Sequence, residues 1–461
     1  MKTTGDQILT YVLTPLSWIY GAMMWLRNKM FDLGILKQTE YDVPVVGVGN
    51  LTVGGTGKTP HTEYIVGSLC TDYKVAVLSR GYKRKTRGFI VANSKSTPDS
   101  IGDEPWQIYN KLGMRVKVAV CENRRKGIQQ LLKLYPDLNL IVLDDSFQHR
   151  WVRPDVSILL MEYDRPVYED KLLPLGRLRE SPHEINRADK VIVTKCPEDL
   201  NPLDFRLVSK NLSLMKFQKL YFSRYAYEPL QPVFPDEARF NVNLSALTAK
   251  DGIFLLTGIA HPRYFVRHFK QYPCRKRVEH FPDHHDFSRK DIARIREKFD
   301  KMKGERKIII TTEKDAVRLA HNPYFPQELR PFTFYQPISV RMVSGTYDHD
   351  NDLIDDLKRE LHLTNSGDDG GYHDVTDTPE TDLGPDHTAA PPADAAADEY
   401  VTEAQAYSAD TPAYDADTQE QEAPLSSTDT VTPGMNGFGS AQHSYPSERE
   451  RNVTYDDIDL E

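Results

Sequence analysis

The chain has 461 residues, room for two domains of ordinary size and an appended segment. Its formal net charge of −9 is unevenly spread: residues 366–461 hold 23 acidic and 2 basic side chains, which leaves 56 basic against 44 acidic over residues 1–365. An acidic tail thus hides a body of about +12, suited to phosphates or an anionic lipid surface. Cys70, Cys121, Cys196 and Cys274 stand far apart, which excludes a CxxC redox pair and a zinc-ligand spacing and reads as reduced thiols in a cytosolic compartment.

The first element is ILTYVLTPLSWIYGAMMWL, residues 8–26, uncharged and followed by Arg27 and Lys29. Its length could span a bilayer, but it carries Thr, Ser, Tyr, Pro and Gly and lacks a small-residue cleavage pattern. Apolar residues from Leu9 through Val12, Leu13, Leu16, Ile19, Tyr20, Met23 and Met24 recur at three- and four-residue steps, with Trp18 and Trp25 available for an interface. A membrane-surface helix within residues 1–40 fits this pattern better than a spanning one, with packing against the domain as the alternative.

Apolar, β-branched runs at 43–48, 74–79, 116–120, 138–145, 156–161 and 189–194 then alternate with helix-length segments. Such runs predict a doubly wound α/β domain over residues 41–213 with a mostly parallel sheet covered on both faces. An aromatic, proline-bearing stretch reads as a linker at 214–243, and a second, smaller α/β domain follows at 244–365. The Asp-, Ala- and Pro-rich residues 366–461 hold too few branched apolar side chains to offset ordering entropy and read as disordered.

The chemistry begins at GNLTVGGTGKTP, residues 49–60, behind the first strand. Gly54, Gly55 and Gly57 allow backbone N–H groups to converge on phosphate oxygens, Lys58 reaches the β and γ phosphates, and the Thr59 hydroxyl can ligate Mg²⁺. The loop departs from GxxxxGK[ST] only at Thr52, where the first glycine is expected. Asp144 and Asp145 end the strand LIVLDD, where a metal-holding aspartate belongs. The guanine-reading pattern NKxD has its nearest counterpart in Thr194-Lys195-Cys196-Pro197, which lacks both the Asn and the Asp, so the base expected is that of ATP. Asp103, Asp145 and His284 are candidates for the base that deprotonates an alcohol acceptor, and Arg80 and Arg179 for cations that bind anions.

GNLTVGGTGKTP, LSRGYKRKTRG, GDEPW, VLDDSFQHR, LPLGRLRE, FPDHHDF and TTEKDAVRL, in this order, resemble the tetraacyldisaccharide 4′-kinase family, LpxK, over residues 1–365. The resemblance makes Thr52 a family mark and sets Thr52, Val53, Gly54, Gly55, Thr56, Gly57, Lys58 and Thr59 on the nucleotide. It implies ATP- and Mg²⁺-dependent phosphorylation of the 4′-hydroxyl of a lipid A precursor, tetraacyldisaccharide 1-phosphate, to lipid IVA at the cytoplasmic face of the inner membrane. It further implies that Asp103 and His284 deprotonate the acceptor, that Thr59, Glu104, Asp144 and Asp145 shape the metal site, and that Arg80 and Arg179 face the substrate. The family's DH motif is a double His here, His284 and His285. Two other classes are disfavoured: a partitioning ATPase has Lys where Val53 stands, and nucleic-acid binding would need an aromatic-basic motif beside YKRKTR, residues 82–87.

Overall fold

The computed structural model describes residues 4–238, 241–283, 285–343 and 352–362. The expected tail at 366–461 and His284 lie outside them. In chain order the first half forms α1 (Thr4–Asp32), β1 (Val45–Asn50), α2 (Lys58–Leu69), β2 (Val75–Ser79), β3 (Ile90–Val91), α3 (Pro98–Ile101), α4 (Asp103–Leu112), β4 (Lys117–Val120), α5 (Arg124–Leu134), β5 (Leu140–Asp144), β6 (Val156–Glu162) and β7 (Lys190–Thr194). The second half forms α6 (Pro202–Leu212), β8 (Lys219–Tyr227), β9 (Gln231–Pro232), β10 (Gly252–Thr257), α7 (Arg263–Phe269), β11 (Arg275–His280), α8 (Arg289–Lys301), β12 (Lys307–Thr312), α9 (Glu313–Ala320), β13 (Thr333–Gln336), β14 (Ile338–Met342) and α10 (Leu353–Glu360).

Nine strands make one sheet in the order β14-β8-β7-β6-β1-β5-β2-β4-β3, parallel except at its two edges, and five make a second in the order β11-β10-β12-β13-β9. The continuous apolar runs are explained by burial on both faces. Val46 and Val48 of β1 join one core with Ile65 of α2 and Leu353 of α10, while Val45 joins the opposite core with Ile128 and Leu131 of α5. β1 lies between β5 and β6, and the register opposes Val48 to Asp144. Parallel pairing therefore carries the phosphate loop and the acidic pair to the same end of the sheet.

The segment 214–243, read above as a linker, differs. Residues 219–227 are β8, an inner strand beside β7, with Tyr221 and Phe222 on opposite cores. Lys, Arg and Ser between the aromatics mask the strand pattern in sequence. The chain also returns: β14 pairs with β8, and Leu353, Ile354 and Leu357 of α10 pack on the first core rather than on the second sheet.

The helix α1 is built inside out for an aqueous surface. Its inward side is largely polar until it ends on the buried ring of Phe31: Ser17 and Asn28 are buried, Ser17 Oγ donates to Leu172 O at 2.9 Å, and the Tyr20 hydroxyl donates to Arg179 O at 2.7 Å. Its outward side is apolar, with Tyr11 80%, Trp18 72% and Trp25 60% exposed and Val12, Leu16, Ile19 and Met23 between them. Tyr20, grouped above with the apolar stripe, thus faces inward. Among the described residues no helix is long and apolar enough to cross a membrane.

Candidate active site

The loop from β1 to α2 is held at its entrance by backbone pairing. Thr52 bridges Leu178, Val53 N donates to Arg177 O at 2.8 Å, and Arg179 N donates to Leu51 O at 2.7 Å. LPLGRLRE thus braces the loop where the usual first glycine is missing. Thr52 need not adopt a glycine conformation there, since positive φ falls instead on Gly54 (110°) and Gly57 (91°). At Gly57 a side chain is excluded twice, because a Cβ would also overlap the Tyr225 hydroxyl. His61, fully buried, binds Gly57 O at 2.7 Å through Nδ1 and Ser223 Oγ at 2.8 Å through Nε2, and burial lowers its pKa to about 4, so the ring is neutral.

Residues 53–60 line an open cleft of about 430 Å³ together with Glu104, Asp145 and Arg179 from the first sheet's half and Ile259, His261 and Lys314 from the second sheet's half. Lys58 Nζ lies 3.6 Å from Asp145 Oδ1, and Arg179 Nη1 lies 3.2 Å from the same oxygen. Burial pushes the Asp145 carboxyl up, but Lys58, Arg179 and Arg124 outweigh it and hold the pKa below the ordinary aspartate value. Asp144 has the opposite balance: burial, then Glu104 and Asp145, push it up to about 7. Asp144 Oδ1 accepts from Thr62 Oγ1 at 3.3 Å, while Oδ2 is buried without a partner. A carboxylate that crowds two others and keeps an unmet buried oxygen fits a divalent cation. Among the described residues no three His, Cys, Asp or Glu side chains form a metal cage.

Of the other expected residues, Asp103 begins α4, outside the cleft lining, and its carboxylate is ion-paired to Arg318 of α9. Glu104 lies 3.9 Å from Lys314. Arg80 is exposed and lines a separate basic hollow with Arg84 and Arg87, which shares Tyr82 with the cleft. Thr52 stands just behind the lining that begins at Val53.

The structure adds residues that spacing did not single out. Lys195 follows β7 at φ 59°, reaches Gly55 O, and is ion-paired to Glu162, so it props the loop from below. Its signal was the TKCP sequence, read above only for the base. His261 Nε2 lies 3.3 Å from both Arg165 Nη1 and Arg177 Nη1, beside Gly54. Burial, then Lys195 and Arg177, lower the His261 pKa to about 4, so a neutral ring accepts from the guanidiniums. Across the two sheets, Lys111 of α4 binds Glu63 Oε2 at 2.8 Å, Glu313 Oε1 at 3.4 Å and Ile338 O at 3.3 Å.

A family model described as tetraacyldisaccharide-1-P 4′-kinase matches residues 9–358. Curated proteins named tetraacyldisaccharide 4′-kinase include one from Bacteroides thetaiotaomicron, 50% identical over 76% of this chain and 93% of that protein. One from Porphyromonas gingivalis W83 is 43% identical over 75% of this chain and 95% of that protein. The crystal structure of the "apo" form of LpxK from Aquifex aeolicus in complex with ATP aligns with a TM-score of 0.57 at 29% identity, over 77% of this chain and 98% of that one. The chain belongs to the tetraacyldisaccharide-1-phosphate 4′-kinase (LpxK) family.

Proposed function

We propose that the protein transfers the γ-phosphoryl group of ATP to the 4′-hydroxyl of tetraacyldisaccharide 1-phosphate, forming lipid IVA in lipid A biosynthesis. The observation that carries this reading is the phosphate loop set beside Asp144 and Asp145 at an open cleft that residues of the second sheet's half also line. Phosphoryl transfer asks the protein for positioning and charge neutralisation more than for covalent chemistry. Lys58, now near Asp145, would turn to the β and γ phosphates, and Gly54, Gly55, Thr56 and Gly57 would offer backbone N–H groups. Thr59 and Asp144 would hold Mg²⁺, with Glu104 and Asp145 around it, and the ion would neutralise charge on the phosphate oxygens.

Asp103, with His284, is the base assigned to the 4′-hydroxyl. Its ion pair with Arg318 orients the carboxylate and ties it to the second sheet's helix α9. Arg179, hydrogen-bonded to Asp145 and to Gln148 Oε1 at 3.1 Å, and Arg80 are assigned to the substrate's sugar-phosphate side. Closure of the second sheet's half over the loop would complete the site.

The acyl chains hold the substrate in a bilayer, because each CH₂ exposed to water costs about 0.8 kcal/mol. The outward apolar side of α1 supports docking on the membrane surface, at the cytoplasmic face of the inner membrane, and the basic body suits anionic headgroups. The test is purified full-length protein with labelled ATP, Mg²⁺ and the tetraacylated disaccharide 1-phosphate. A labelled bisphosphorylated lipid is expected, and folded protein that binds ATP but yields none would overturn the reading.

A further inference from the structure

Beyond the phosphate loop the cleft wall turns aromatic and apolar, lined by Tyr227, Ile259, Phe265 and Ile338. Within this lining, among the described residues, one buried side-chain polar atom has no hydrogen-bond partner: Gln336 Oε1. Gln336 is the last residue of β13 and only 2% exposed. Its amide nitrogen donates to the carbonyls of Glu228 and Pro337, the latter at 3.1 Å. Two carbonyl oxygens at the same end of the amide require the NH₂ group there, so the side chain cannot turn over and its oxygen is presented only as an acceptor. A buried acceptor left unmet is costly, and native structures rarely keep one without a use.

Its place along the site suits a nucleoside base. The Tyr225 hydroxyl touches the space beside Gly57, and three residues on the same chain reaches Glu228, whose carbonyl holds Gln336. At about 3.3 Å per residue Glu228 lies roughly 10 Å along the chain from Tyr225, which separates the Gln336 end of the cleft wall from the residue that meets the loop.

We propose that Gln336 selects the base: Oε1 accepts from the exocyclic amino group of adenine, whose ring lies against Tyr227, Ile259 and Phe265. Guanine sets a carbonyl oxygen where adenine has its amino group, so two acceptors would face each other in a dry wall and GTP is rejected. The inference rests on the nucleotide reading of the cleft. It also explains base choice in a chain that lacks an NKxD element.

The test is calorimetric binding of ATP, GTP and purine riboside triphosphate, which is ATP without the amino group, to the full chain with Mg²⁺. For the native protein the amino-free nucleotide is expected to bind about tenfold more weakly than ATP, the worth of one neutral hydrogen bond, with GTP weaker still. Gln336→Met should bring the ATP to purine riboside triphosphate ratio close to one. Equal affinity of the native protein for those two nucleotides overturns the assignment without any variant, as does a Gln336→Met protein that keeps the tenfold ratio. Absence of binding by every triphosphate removes the nucleotide reading as well, whereas uniform binding removes only the role of Gln336.

Discussion

Gly57→Ala tests the loop where its geometry is tightest. The residue has φ 91° and ψ 24°, so an alanine would sit in the left-handed region at a cost of about 1–2 kcal/mol. Its Cβ would also overlap the Tyr225 hydroxyl, and forcing a methyl into a packed site adds about 1–3 kcal/mol. The strain can be relieved only by moving the backbone whose N–H groups converge on phosphate. If about 3 kcal/mol of misfit falls on nucleotide binding, the dissociation constant for Mg-ATP rises about a hundredfold. The companion variant Gly57→Ala/Tyr225→Phe removes the hydroxyl but not the dihedral strain, and should recover about half of the loss in free energy. Calorimetric ATP affinity and the thermal midpoint, measured on all three proteins, check both parts. A Gly57→Ala protein that binds ATP within twofold of the native value and melts with it would refute the geometry, and full recovery in the double variant would remove the dihedral contribution.

Three further outcomes are expected. Asp103→Asn should lower kcat by about 10²-fold or more while ATP affinity changes little, in line with loss of a general base, and near-normal kcat would remove that assignment. Burial, with help from Lys195, lowers the His61 pKa from 6.5 to about 4, so the folded protein resists a proton that the unfolded chain takes up near 6.5. Stability from the neutral ring is therefore full above pH 6.5 and is lost as pH falls toward 4, by about 3 kcal/mol; denaturant midpoints at pH 7 and 4.5 should differ less in His61→Asn than in the native protein. On the outward side of α1, Trp18→Glu with Trp25→Glu should free the protein from sedimenting anionic vesicles, and unchanged pelleting would mean that another surface binds them.

The glycine-rich loop, the acidic pair and the parallel strands were legible because each is local. A buried strand must read as an apolar run, and a phosphate loop must place Gly, Lys and Thr at set spacings whatever surrounds them. The motif LPLGRLRE was visible too, but not that its backbone braces Thr52, since pairing between residues 51–53 and 177–179 has no side-chain signature. β8 and β11 were hidden by charged residues that interrupt the apolar run: Lys219 and Arg224 of β8 are half-buried, and the one buried charge of β11, Glu279, is met by Arg294 and Lys298 of α8.

What the sequence by itself determined is the phosphate chemistry and the large parallel sheet, because nearest-neighbour geometry and hydrophobic period encode both. Only the tertiary structure decided that β14 and α10 return to the first sheet's half, and that Asp103 is ion-paired across to Arg318. It alone set Lys195 beneath Gly55 and left the oxygen of Gln336 unmet in the cleft wall. These depend on which surfaces meet when two sheets dock. That is settled by packing and by the satisfaction of buried polar groups between residues two hundred or more positions apart, as Asp103 and Arg318 are, and no local pattern records it.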